Sequence, residues 1–515
     1  MMSDMYKSLY GRKKLLTHYL PHSMVREGES WDYILDTEGV CSAIREVAMA
    51  HEEDRVKIEY LMNYYKGKQD ILDRVKDIRP DIDNRIVFNH AYQATRNIVG
   101  YTFGKPITYI QREESKLESV KYLNNCTDIE DKFAGDTELA TIASICGVAY
   151  RGIFTDSTGF GNDVPFNLTT LDPQTTFVLY STELNNPPVL ACTYYYLKTE
   201  GSPSNSVVYN VYTPDLVFRF KSNSAYGSLS VADLMGEPLP NVLGKLPIVE
   251  YENNMFRMGD WETAVSLLNA INVVGSDSVN DLSQFVQSLL VITNADFTDD
   301  DIVNLKKNKI IKLLSQKDNP ADMKYIANQL DANGAVQLRD WLLSQFETVV
   351  GIPSRSRNNG SSDTGDAVYM RNGYESFEIV ARLKESSFRK GERLTLDAML
   401  GYLSLANKLK GLSTSDIIVK FTRNSTDNIL VKSNAISILN GTKTLAPTDI
   451  LALVGISTEP AELAKRGDAY WKKKTAETVA DTPVASTPST TSDDATSTGK
   501  SKAVNNTQNK SKVER

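Results

Sequence analysis

The chain has 515 residues, 41% of them hydrophobic and 24% charged, and a formal net charge of −8. That length exceeds what one hydrophobic core organises, so two to four structural units are expected, and the acidic balance argues against static nucleic-acid binding through a broad basic face. No apolar run approaches the roughly 20 residues of a bilayer span, and no apolar segment follows the basic residues of Met1 to Lys14, so neither a membrane protein nor a secreted one is expected, and the cytosol is the expected compartment.

His18 and His22 stand four apart, but Pro21 lies between them and no Cys or carboxylate completes a zinc set nearby. Cys41, Cys126, Cys146 and Cys192 are dispersed without a C-x-x-C pair and read as small buried hydrophobes. From Ile44 to Gly67 the apolar positions Ile44, Val47, Ile58, Leu61 and Tyr65 give a helical pattern around the run HEEDRVKIE, a solvated face, with Gly67 as the stop. The next stretch, NRIVFNHAYQATRNIVGYTFGKPITYI, reads as a short strand, a helix and a second strand.

Within it, GYTFGKP invites comparison with a phosphate-holding loop. A Walker A loop needs four residues between its first glycine and its Gly-Lys, then a Ser or Thr for the magnesium. Here only Tyr101, Thr102 and Phe103 intervene, and Pro106 follows Lys105. The stretch is better read as a turn between helix and strand, with Gly104 free to take positive φ.

A helix from Asp136 to Tyr150 leads into AYRGIF, TTFVLY, LACTYYYL, VVYNVYTPDLVFRF and KLPIVEY, strand-like pieces separated by turn residues. They predict an α+β region with antiparallel sheets. The tyrosines of TYYYL fit strand packing better than base stacking. At Asp260 the pattern turns helical, with Trp261, Val265, Leu268, Ile271, Val279, Leu282, Phe285 and Leu289 inward. The other face carries Asp277, Asn280, Asp281, Gln284 and Gln287. A small mixed insert follows, ADFTDDDIVNLKKNKIIKLL with MKYIA, read as strand, helix, strand and strand. Its run Asp299 to Asp301 fits a helix N-cap better than a metal cage, and Lys306, Lys307, Lys309 and Lys312 form a basic patch for a partner or simply a solvated face.

A helix from Ala335 to Val350 stops at GIPSRSRNNGSSDTG, and a long helical stretch runs from Asp366 to about Lys410, with Met370, Tyr374, Phe377, Ala381 and Phe388 on one stripe. The loop between these helices has little to bury and carries Arg355 and Arg357. A last strand, IIVKFTRN, precedes a helical unit from Asn428 to Lys474, and the Ser/Thr-rich remainder is expected to be disordered.

YYKGKQDIL, NRIVFNHAYQATRNIVGYTFGKPITY, GDWETAVSLLNAINVVGSDSVNDL, ITNADF and SSDTGDAVYMRNGYESFEIVARLKESSF, in this order, resemble the portal proteins of tailed bacteriophages, in the branch found in many phages of Gram-positive hosts. The resemblance implies an α+β subunit of several parts: a wing over 1–258, a first stem helix over 259–291, a clip over 292–334, a second stem helix over 335–350, a tunnel loop over 351–365, a long helix returning to the wing over 366–427, a crown over 428–474 and a disordered tail over 475–515. It further implies a homo-oligomeric ring, typically dodecameric, with no cofactor, metal or catalytic residue, placed at the portal vertex of the virion after assembly in the host cytoplasm. Its partners would be the terminase large subunit, the major capsid and scaffolding proteins, a head-completion or adaptor protein, and double-stranded DNA that passes without sequence preference. By position, Arg355, Arg357, Asn358 and Asn359 would border the DNA, Lys306, Lys307, Lys309 and Lys312 would dock terminase or adaptor, and Asp277, Asn280, Asp281 and Gln284 would face the channel. The alternatives are a nucleotide-dependent packaging enzyme, which the incomplete phosphate loop argues against, and a minor head or adaptor protein, which would not form this ring.

Overall fold

The computed structural model describes residues 36–76, 80–155, 164–181, 187–197, 206–223, 229–286, 289–293, 322–326, 332–353, 363–423, 429–442, 445–454 and 460–480. The chain divides into two compact units, Met1–Ser425 and Thr426–Arg515. In the first, α1 (Thr37–Tyr65) starts at Asp36, whose carboxylate accepts the Gly39 amide at 2.6 Å. It ends where Gly67 takes φ +90°, a conformation that glycine adopts without strain.

This helix reaches two cores. Val40, Cys41, Ile44 and Val47 pack on a five-stranded antiparallel sheet, while Ile58, Leu61 and Tyr64 enter a helical core. The charge run between these two groups is less solvated than its composition predicts. His51 is buried against Phe177 and Tyr194, and Lys57 reaches Glu262 at 2.6 Å, because the helix is covered at the junction of the two cores.

The helix α2 (His90–Thr102) leads to β1 (Thr108–Gln111), then α3 (Leu117–Ile129) and α4 (Lys132–Cys146). The first half of the NRIVF stretch is not a strand: it runs extended along a helix and makes no ladder. Gly104 is not among the residues of positive φ, so the turn before β1 is made without a left-handed residue there, by Phe103 bonding back to Val99 and by Pro106. The helix α4 closes on Gly147, φ +84°, where a Cβ would lie 2.1 Å from the Arg257 carbonyl.

Strands β2 (Val148–Phe154), β3 (Asn167–Leu171) and β9 (Ile248–Glu252) form a sheet in the order β3-β2-β9. Strands β4 (Thr176–Tyr180), β5 (Pro188–Tyr196), β6 (Val207–Tyr212), β7 (Leu216–Ser222) and β8 (Leu239–Pro240) form the five-stranded meander. Val148, Tyr150, Val178, Ala191 and Ile248 are buried between the two sheets.

Next come α5 (Val265–Val286), β10 (Leu289–Thr293), β11 (Asp322–Ile326), α6 (Ala332–Val350) and α7 (Asp363–Leu405). The inward stripe proposed from Asp260 to Leu289 therefore belongs to a helix that stops at Val286, with Leu289 already in a strand. The long helix α7 ends at Leu405 rather than near Lys410, since Asn407 takes φ +56° and the amides of Lys408 and Leu409 fold back onto the Leu403 carbonyl. β12 (Ile417–Lys420) returns to pair antiparallel with β1. The second unit holds α8 (Ile429–Thr442), α9 (Pro447–Val454), with proline in the first turn, and α10 (Pro460–Ala480).

Under α7 lies a buried ion network. Lys132 and Asp136 of α4, Arg151 of β2 and Glu392 of α7 are each at most 4% exposed and are joined by contacts of 2.7 Å. The hydroxyls of Tyr109 and Tyr251 donate to Glu392 at 2.5 and 3.0 Å. Two cations and two carboxylates balance, as burial of charge requires. Burial alone would raise Glu392, but Lys132, Arg151 and the two-sided hydrogen bonding hold it below its ordinary value of 4.5.

Candidate channel and docking surfaces

The α5–α6 pair carries the residues that composition singles out. Leu289, just after α5, pairs with Ile326, just before α6, and Thr293 pairs with Asp322, so β10 and β11 bring the two helices together. Leu268 and Ile271 of α5 share a buried core with Leu342, Phe346 and Val350 of α6, with Trp261 at its base, its indole N–H donating to Thr95 at 3.0 Å.

The inward stripe of α5 loses its cover along the helix. Trp261, Val265, Leu268 and Ile271 are buried, whereas Val279 is 37% and Leu282 53% exposed. On α6, Trp341 is 57% exposed.

Beside this stripe, α5 binds an extended strap. Asn272, Ser276 and Asn280 stand four residues apart and accept the backbone amides of Phe88, Ile86 and Asn84 at 2.8, 3.0 and 2.7 Å. Side chains thus take the part that a neighbouring strand would play, and amides with no β ladder are satisfied. Asn272 also donates to Gln69 at 2.6 Å, and Gly275 is so close to the Phe88 ring that a Cβ would lie 2.2 Å from it. Arg74 grips Asp277 with two nitrogens at 2.9 and 3.3 Å.

This arrangement corrects the channel-facing set. Asn280 is 1% exposed and its carbonyl is committed to the Asn84 backbone, so it faces the strap, not solvent. Asp277 is half-exposed and paired with Arg74, and Asp281 is exposed. Gln284 belongs to α5, but its side chain lies outside the described residues, as do Arg355, Arg357, Asn358, Asn359, Lys306, Lys307, Lys309, Lys312 and the histidines His18 and His22. The strap-binding residues Asn272 and Ser276 escaped the sequence reading, although the spacing Asn272, Ser276, Asn280 is a polar row at helical period.

The described residues hold little reactive chemistry. All four cysteines are buried, and burial pushes the Cys41 thiol up to about 11. Among the described residues no group of three or more His, Cys, Asp or Glu could hold a metal ion, and no helix is long and apolar enough to cross a membrane.

The family model described as "Phage portal protein, SPP1 Gp6-like" matches residues 45–476. The chain belongs to this family of phage portal proteins. Such a protein is a structural conduit and not an enzyme. The Portal protein of Clostridium phage phiCD119 is 23% identical over 411 residues, 75% of this chain and 87% of that protein. The Portal protein of Bacillus phage SPP1 is 22% identical over 343 residues, 64% of each chain. Among solved structures, chains in the neck of an empty GTA particle computed with C6 symmetry and of a native GTA particle computed with C12 symmetry match at TM-scores of 0.42 and 0.41. Each is 12% identical and covers 71% of this portal chain, against 90% and 89% of the neck chains. At those scores the likeness carries no further argument. The portal family and the α+β make-up agree with the reading of the sequence.

Proposed function

We propose that copies of this chain close into a ring, typically a dodecamer, at the unique vertex of a phage capsid, after assembly in the host cytoplasm. The terminase motor pumps double-stranded DNA through this ring, and the genome leaves by the same path. The observation that carries the reading is the family match over residues 45–476. In this reading α5, α6 and the paired strands β10 and β11 form a stem and clip, with Asp277, Asp281 and Gln284 toward the channel; Asn280 is left out because the strap occupies it. An acidic wall that does not hold phosphates suits DNA that must slide, because each phosphate contact would have to be broken at the next step.

Arg355 and Arg357, with Asn358 and Asn359, touch the DNA backbone without reading bases. Lys306, Lys307, Lys309 and Lys312 dock the terminase and later a head-completion protein, and the wing and crown meet capsid and scaffolding proteins. Native mass spectrometry with negative-stain imaging of the full chain tests the ring: closed rings with an axial hole of about 20 Å, wide enough for a duplex by its groove dimensions, are expected. A monomer or dimer at every salt concentration, with or without scaffolding protein, overturns it and favours a minor head protein. Arg355→Ala with Arg357→Ala should lower packaging or genome retention, and unchanged packaging removes these arginines from the mechanism.

A further inference from the structure

The GYTFGKP stretch, which lacks a phosphate cradle, forms one wall of an open groove of about 760 Å³. Its sides are Met62 of α1, Val99 and Phe103 of the α2 end, and Phe133, Glu138 and Ile142 of α4. Phe133 is 40% exposed, and Gly100 and Gly104 leave the wall low. Glu138 lines the groove, and Asp128 and Asp131 shortly precede its lining residue Phe133; all three are exposed, as is Lys105 next to Gly104.

A matching ridge runs along α7. Phe377, Ala381 and Phe388 are its buried face. About half a turn away, at 100° per residue, Ile379 is 58% and Leu383 67% exposed. Basic groups flank this pair: Arg382, paired with Glu378 at 3.1 Å, and Lys390, 3.7 Å from Glu252, keep side chains that are 71% and 73% exposed. Two large apolar residues four apart are the spacing with which a helix enters an apolar groove.

One chain does not fill its own groove with its own ridge. Phe377 lies 4.7 Å from Tyr101 and Phe388 4.6 Å from Phe103, ring to ring, so the buried face of α7 is turned toward the end of α2 and the ridge points away from it. A cyclic assembly requires two different, complementary surfaces on each subunit, and this pair is apolar to apolar and acidic to basic.

We infer that the Ile379–Leu383 ridge of α7 seats in the α1–α2–α4 groove of the next copy, with Arg382 and Lys390 against its acidic margin. The inference rests on the ring reading. It is tested with cysteines at exposed positions, Ala134→Cys in the groove and Leu383→Cys on the ridge, the native cysteines being buried. The full-length double variant, oxidised mildly, should give a ladder of covalent multimers on a non-reducing gel that a reductant collapses. Each single variant alone should stay monomeric, and the two single variants mixed should give dimers and nothing larger. Glu138→Arg should reduce the fraction of chains in rings, and Arg382→Glu added to it should restore that fraction. Rings of the double variant by native mass spectrometry without covalent multimers on the gel overturn the interface and leave the ring reading intact. Absence of rings from the wild-type chain overturns both.

Discussion

At the scale of single residues, Glu392 holds the most consequence. It meets Lys132 at 2.7 Å and accepts from two tyrosines, and Arg151 balances the remaining charge through Asp136. Glu392→Gln keeps the shape and removes one anion, leaving two buried cations to share Asp136. The expected loss is about 3–5 kcal/mol, typical of breaking a buried pair from one side, read as a fall in the thermal or denaturant midpoint of the first unit. Because the folded state holds Glu392 below its ordinary 4.5, its contribution is present above that pH and is lost as the pH falls through the lower, folded value. His90 acts in the same sense at milder acidity. Burial, near Phe88 and Phe346, lowers it from 6.5, so the neutral ring is the folded form. Stability should decline as the pH drops below about 6.5, the ordinary value for imidazole, and a His90→Phe variant should show a flatter dependence of melting temperature on pH between 7.5 and 5.5, a window chosen to be roughly one unit either side of that value. An equal slope in both proteins would exclude His90 as the source.

At the scale of elements, what could be read from the sequence was whatever repeats. The strands β2, β4, β5, β6, β7 and β9 follow runs of Val, Tyr and Phe bounded by turn residues, and α1, α5, α6 and α7 follow apolar stripes. Their ends were less legible, because Asn407 stops α7 by its backbone conformation and not by a glycine or proline signal. The helix α3 has no clear period in the sequence: LESVKYLNNCTDI mixes polar and apolar residues, and Val120, Leu123 and Cys126, with Tyr122 at the edge, point into the core that selects it. The strap of residues 84–88 has an extended local pattern, so its sequence alone predicts a strand. Its partners are polar side chains of α5 almost two hundred positions away, which no local period discloses. For the same reason Asn280 looked like a wet residue: buried and exposed asparagines have one letter.

At the scale of the whole molecule, family membership was legible because it rests on an ordered combination of motifs, none sufficient alone. The candidate sites were much less legible. Of the proposed channel residues the structure keeps Asp277 and Asp281 accessible and withdraws Asn280, while the exposed faces of α5, α6 and α7 show up only once burial within one subunit is known. A portal subunit is stabilised by several cores in series, and α1 spans two of them. The strap has a dynamic consequence. Its amides belong to no helix or sheet, yet they are bonded to α5, so the protons of Asn84, Ile86 and Phe88 should exchange with deuterium only when α5 itself opens, in one cooperative step. Asn272→Ala should speed exchange at Phe88 by roughly five- to tenfold if the lost hydrogen bond is worth about 1–1.4 kcal/mol, with a smaller effect at Asn84. Uniformly fast exchange across all three in the wild type would mean that strap and helix come apart independently; slow exchange makes them one moving body, so that any tilt of the helix drags with it a segment nearly two hundred residues earlier in the chain.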